Sequence, residues 1–110
     1  MGLDSPQLLP GTLYMLILRT LAGGPRHGYA IARTIKQSSA EVLEVEEGSL
    51  YPALARMLVK GWVVAEWGIS ETNRKARFYR LTEDGRKQLA SEAGEFNKLV
   101  DAIRLVMKTA

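Results

Sequence analysis

At 110 residues the chain is the size of one ordinary domain, and 46% hydrophobic with 25% charged residues is a foldable, soluble composition rather than a disordered or fibrous one. The 15 basic against 12 acidic residues, net +3, permit a polyanionic partner without requiring one, so the placement of the charge matters more than its sum. Cysteine is absent, which excludes disulfides, zinc–cysteine sites and thiol nucleophiles together.

The longest mainly apolar run, residues 13–22, is interrupted by Arg19 and is shorter than the about 20 residues that span a bilayer. The start MGLDSPQ lacks the basic segment of a secretory signal, and Pro6 stands where a myristoylation motif needs Ser or Thr. A cytoplasmic protein with no membrane partner is expected.

Residues 1–8, with Pro6 and few anchors, are expected to form a loose N-terminal arm. Pro10, Gly11 and Thr12 open a predicted helix in which Leu13, Leu16, Ile17, Thr20 and Leu21 share a face, and Gly23, Gly24 and Pro25 stop it. A second helix is predicted from about His27 to Ser38, with Ile31 and Ile35 inward and Arg33 and Lys36 outward. The short connection makes these two helices packed neighbours. Val42, Leu43, Glu44 and Val45 read as a brief strand.

The third predicted helix covers residues 49–60. Ser49 is placed at its N-cap, and Pro52 in its first turn, where a missing N–H costs nothing. Leu50, Leu54, Met57 and Leu58 recur at helical spacing as the buried face, so Tyr51, Ala53, Arg56 and Lys60 are assigned outward. Gly61 ends the helix and Trp62 returns to the core. Residues 62–69, rich in β-branched and aromatic side chains, and residues 75–81 are predicted strands around the polar stretch 70–73, a hairpin whose loop exceeds two residues.

Thr82 before Glu83 and Asp84 is a predicted N-cap with acids at the positive end of the helix dipole. Leu89, Ala93, Phe96, Val100, Ile103 and Met107 then follow a heptad seam, widened by Leu99 and Val106. A helix over residues 83–108 is about 39 Å long at 1.5 Å per residue, longer than a core of this size covers. Either the surplus apolar stripe folds back on its own domain, or it pairs with the same helix of a second copy.

The order helix, helix, short strand, helix, hairpin, long helix is that of a winged helix-turn-helix, which puts residues 49–60 in the position of the recognition helix. Across residues 73–81 the chain reads NRKARFYRL, the densest positive charge in the sequence. Arg74, Lys75 and Arg77 suit phosphate contacts from a wing, although strand alternation keeps Arg77 and Phe78 on opposite faces. Arg56 has the fork that pairs with guanine, Tyr51 can touch a thymine methyl or a phosphate, and Ser49 at a helix start suits a phosphate oxygen. Lys60, with Pro52 and Ala53, completes the candidate DNA-binding set. The bland readings are a solvated charge run, a half-buried Tyr51 and a Ser49 that only caps.

His27 is the one histidine; without other ligands it cannot build a zinc site, and it reads as a cap or packed turn residue. Glu41, Glu44, Glu46 and Glu47 have no nucleophile or base beside them, and the glycines form no nucleotide-binding pattern. No metal and no cofactor are expected. Phe96 with Val100 either packs in the seam or lines an apolar slot for a flat effector between two splayed helices.

The runs LPGTLYMLILRTL, HGYAIARTI, VEEGSLYPALARMLVKGW and ARFYRLTEDGRKQL together resemble the PadR family of bacterial transcriptional regulators, in its short subfamily, over about residues 9–107. The resemblance implies a homodimeric repressor on an inverted repeat near its own or a neighbouring gene. The recognition helix would enter the major groove, with Ser49 and Tyr51 near DNA, and the wing would follow the backbone. It also implies that a small aromatic effector can act near the dimer interface, where drug-binding relatives carry tryptophan and this chain has the smaller Phe96. Tyr14 stands where many relatives carry a polar or acidic residue.

The expected fold is therefore mainly α (α+β): an arm over residues 1–8, a winged helix with a two-stranded wing over residues 9–82, and a dimerisation helix over residues 83–110. The expected function is a dimeric, sequence-specific regulator that binds double-stranded DNA and is not an enzyme. The rival reading is a winged-helix small-molecule sensor or protein–protein adaptor without specific DNA binding.

Overall fold

The computed structural model describes residues 10–108. Helices α1 (Pro10–Ala22), α2 (Gly28–Ser38) and α3 (Glu47–Val59) precede a hairpin of β2 (Val63–Ile69) and β3 (Lys75–Leu81), and α4 (Glu83–Lys108) closes the chain. A two-residue strand, β1 (Arg26–His27), makes the sheet three-stranded in the order β1-β3-β2, with antiparallel pairing throughout. This is the winged helix-turn-helix arrangement expected from the sequence, with a long C-terminal helix.

The core follows from the periodicities. Leu13, Ile17, Leu18 and Leu21 of α1 meet Ile31 and Ile35 of α2 and Leu50, Ala53, Leu54 and Met57 of α3, with Val63, Tyr79 and Leu81 closing the sheet side. Each large side chain among them contributes about 1.5–3 kcal/mol on burial. α3 stops where Gly61 takes a positive φ of 76°. The Gly61 amide donates to Leu58 and the Trp62 amide to Met57, the paired bonds by which a left-handed glycine satisfies the last helical carbonyls.

Thr82 caps α4 as expected. Its Oγ1 accepts from the Gly85 amide at 3.0 Å, and it sits against the carbonyls of Gly61 and Trp62 at 2.6 and 3.0 Å. Gly85 is buried against that same turn, so the start of α4 is seated directly on the α3–β2 connection.

Several expectations are corrected. Residues 42–45 form no strand: Ala40 and Glu41 turn the chain with positive φ, and the Ser39 hydroxyl takes the Leu43 amide at 3.0 Å, which satisfies the backbone locally. The additional strand is β1, whose partners Phe78 and Tyr79 lie far along the chain. α3 begins at Glu47, with Glu46 at its N-cap. Ser49 is therefore inside the first turn and its amide already donates to Glu46. The same early start puts Pro52 in the helix interior, where its ring leaves the carbonyl of exposed Gly48 to water. Ala53 is not outward: it is 1% exposed in the core, while Leu58, expected in the core, is only half-buried. The arm expected over residues 1–8 lies outside the described residues.

Candidate nucleic-acid interface

Four core positions of α3 fix which way the rest of it points. With Leu50, Ala53, Leu54 and Met57 inward, the outermost ridge is Gly48, Pro52, Ala55 and Val59, all exposed. Tyr51 flanks this ridge on the α2 and sheet side; Ser49, Arg56 and Lys60 flank it on the α1 side. Val59, at 88% exposed, was missed from sequence although the wheel that buries Met57 turns it outward. An aliphatic side chain so placed suits a thymine methyl.

Tyr51 leans on the start of α2, its hydroxyl so close to Gly28 that a Cβ there would fall 2.6 Å away. Burial first, then the Glu47 carboxylate and Tyr79, push its phenol above the ordinary value, so it remains a neutral hydrogen-bond donor, the form that can serve a phosphate oxygen. A Gly28→Ala variant is expected to force the ring away and to weaken duplex binding severalfold, read by titration of a labelled duplex.

Strand alternation continues the core-facing side of the sheet outward to the wing tip. Tyr79 pairs with Ala65, Arg77 with Trp67 and Lys75 with Ile69, so both cations and both apolar residues project from the side on which α3 packs. Lys75 lies over the Trp67 ring at 5.2 Å and Arg77 over Tyr79 at 6.0 Å. Trp67 and Ile69 are each 64% exposed; sequence reasoning placed them in a strand without assigning them a use. Arg80 points to the other side and faces Glu66 at 3.8 Å. Arg74 is exposed in the loop, where the Ser70 hydroxyl receives its amide at 3.3 Å.

The wing is tied back to α2. His27 caps α2 through Nδ1, which accepts from the Ala30 amide at 3.3 Å, and its Nε2 meets Glu71 of the wing loop at 3.3 Å. Arg33 approaches the same carboxylate at 3.7 Å. His27 is thus the expected cap, and also a strut for the wing. The Phe78 ring packs edge-on against it at 5.4 Å and covers Gly68 closely.

The expected seam of α4 divides in two. Leu89 packs against the core of its own domain, and Ala93 and Val100 are half-buried. Phe96, Leu99, Ile103, Val106 and Met107 are exposed to between 42% and 71%, as is Leu105. Phe96 borders a shallow groove with Gly11, Thr12 and Met15 of α1; Val100, expected beside it, does not line that groove. Among the described residues there is no cluster of three potential metal ligands and no helix long and apolar enough to cross a membrane.

The profile of the transcriptional regulator PadR-like family matches residues 17–91. A transcriptional regulator from Clostridium thermocellum is similar in structure, with a TM-score of 0.77 and 29% identity over 86% of this chain and 91% of the other. A PadR family transcriptional regulator from Eggerthella lenta gives a TM-score of 0.77 and 27% identity over 91% and 85%. An uncharacterised protein from Lysinibacillus sphaericus is 27% identical over 92% of this chain and 93% of its own length. The motifs, the fold and the profile agree: the chain belongs to the PadR-like family of transcriptional regulators, and it is a regulator rather than an enzyme.

Proposed function

We propose that the protein is a dimeric, sequence-specific DNA-binding repressor that recognises a palindromic operator in double-stranded DNA. The observation that carries this reading is the common direction of the exposed ridge of α3 and the Lys75, Arg77 and Trp67 side of the wing. A duplex against α3 would meet base edges at Arg56, Tyr51 and Val59 and its backbone at Ser49, Lys60, Arg74, Lys75 and Arg77. Pro52 would lie against the groove floor, and Ala53 would not touch DNA. The exposed apolar half of α4, at Phe96, Leu99, Ile103 and Met107, would pair with a second copy, with Val106 beside it and Ala93 and Val100 at its margin. Two-fold symmetry would then set the recognition helices about 34 Å apart, one turn of B-DNA. A flat aromatic effector at the Phe96 groove would act on the angle between α4 and the domain that holds α3.

The test is a gel shift against the DNA upstream of the chain's own gene at two salt concentrations. The Arg56→Ala variant should lose about 1–3 kcal/mol of discrimination at one base pair of each half-site. The Arg74→Ala, Lys75→Ala double variant should weaken every duplex alike and flatten the salt slope by about 1 for each phosphate that is no longer neutralised. Equal wild-type affinity for operator and scrambled duplex would overturn the proposal in favour of a sensor or adaptor.

A further inference from the structure

The two cations on the α1 side of α3 are held by aromatic rings before any ligand arrives. The Tyr14 hydroxyl of α1 accepts from Nε of Arg56, so the guanidinium sits off the hydroxyl end of the Tyr14 ring rather than on its face, its central carbon 5.8 Å from the centroid. Tyr14 in turn meets Trp62 edge-on, centroids 5.7 Å apart and planes at 82°. The Lys60 ammonium sits 5.2 Å from the Trp62 centroid. Arg56, Tyr14, Trp62 and Lys60 thus form a run with a cation at each end and two rings between, along the seam between α1 and the end of α3. Tyr14 and Trp62 are both half-buried and packed on the core, so the rings are the fixed partners and the exposed cations the ones being held.

The atom that is engaged matters. A guanidinium carries five N–H donors in a rigid fork, and engagement of Nε leaves both terminal amino groups unused. Those two groups make the bidentate pair with O6 and N7 of guanine. An exposed arginine free of any such bracket surrenders its rotamer freedom when it binds; here that ordering is already present in the free protein.

We infer that Tyr14, supported by Trp62, is a specificity-determining positioning residue that orients Arg56 for base recognition without itself touching a base. The inference rests on the reading that α3 reads DNA. It gives Tyr14 a role that its place in the hydrophobic pattern of α1 does not, since the ring packs on the core while the hydroxyl serves the next helix but one.

The experiment uses the full chain and a duplex selected from a random pool by the wild-type protein. Affinity is measured for that duplex, for versions with each base pair changed in turn, and for random-sequence DNA, with wild type, Tyr14→Phe, Arg56→Ala and the double variant. Tyr14→Phe removes one hydroxyl and keeps the ring. It should lower the selected-to-random ratio by about 5-fold per half-site, at the base pair that Arg56→Ala also relaxes, and leave random-DNA affinity and melting temperature unchanged. In the Arg56→Ala background the same change should do nothing further. An unchanged ratio, or an equal loss with and without Arg56, overturns the inference. The bracket is read independently of DNA from solvent exchange of the Arg56 Nε–H by NMR, which should quicken in Tyr14→Phe; equal exchange in both proteins overturns the bracket itself. A wild-type protein that enriches no sequence, yet shows slow Nε–H exchange, overturns the DNA reading and with it the role in specificity.

Discussion

Replacement of Leu99 and Ile103 together by glutamate is expected to yield a folded monomer with operator affinity lower by about 10²–10⁴-fold, the gain that a second tethered site ordinarily supplies. Both side chains are at least half exposed, at 58% and 50%, on the part of α4 that its own domain leaves uncovered. Two carboxylates there remove nothing from the core, so circular dichroism should still report a structured winged helix. In a dimer the two carboxylates of each copy, four in all, would have to be buried, which costs far more than the apolar contacts return. Sedimentation equilibrium reads the mass, and titration of a palindromic duplex and its half-site reads the affinity. The wild type should prefer the palindrome strongly, whereas the variant should bind the two about equally per half-site. A variant that stays dimeric would move the dimer interface elsewhere on the surface.

Gly85→Ala is the single substitution expected to damage the fold most. A Cβ at this position would stand 2.1 Å from the Trp62 carbonyl oxygen and 2.6 Å from Cδ1 of Leu81. The oxygen cannot withdraw freely, because it already accepts from the Thr82 amide at 3.0 Å and holds the Thr82 hydroxyl. The start of α4 must therefore lift away from the α3–β2 turn, breaking the cap at Thr82. Such overpacking against backbone is expected to cost about 3 kcal/mol or more. At about 4–8 °C per kcal/mol for a domain of this size, the melting temperature should fall by more than about 12 °C. Any protein that survives carries α4 at a different angle, so the two recognition helices of a dimer would no longer match the operator spacing. Operator binding should accordingly fall more than random-DNA binding. A variant with wild-type melting and affinity would show that α4 is not rigidly seated on this turn.

The part of the protein that could be read from sequence is the part set by contacts a few residues apart. The stripes of α1, α2 and α3, the glycine stop at Gly61, the hairpin around residues 70–74 and the cap at Thr82 all depend on spacing or on local backbone preference. The order of those elements already implied the winged helix, and the family motifs added the regulator class. Local signals misplaced the start of α3, because a serine before an apolar run looks like a cap even when the true cap, Glu46, lies three residues earlier, and Ser49 and Pro52 were misassigned for that reason. Ala53 was misassigned separately, because its small side chain hides that it shares the arc of Leu50, Leu54 and Met57.

Pairings between residues remote in the chain, which no periodicity encodes, came from the fold alone. β1 exists because β3, at Phe78 and Tyr79, presents to Arg26 and His27 the edge that β2 leaves open. His27 serves the wing because the hairpin brings Glu71 back to it. Trp67 and Ile69 become exposed on the α3 side because the sheet outruns the core beneath it. Tyr14 looks like one more apolar residue in α1 until α3 crosses it and Arg56 reaches its hydroxyl. Gly85 reads as a poor helix residue until the turn after α3 presses a carbonyl against it. Side-chain period made the four helices, the hairpin strands and most of their apolar faces legible in the sequence; the short strand β1 and the exposed side chains that are held in place follow from what each one meets in the fold, which period does not encode.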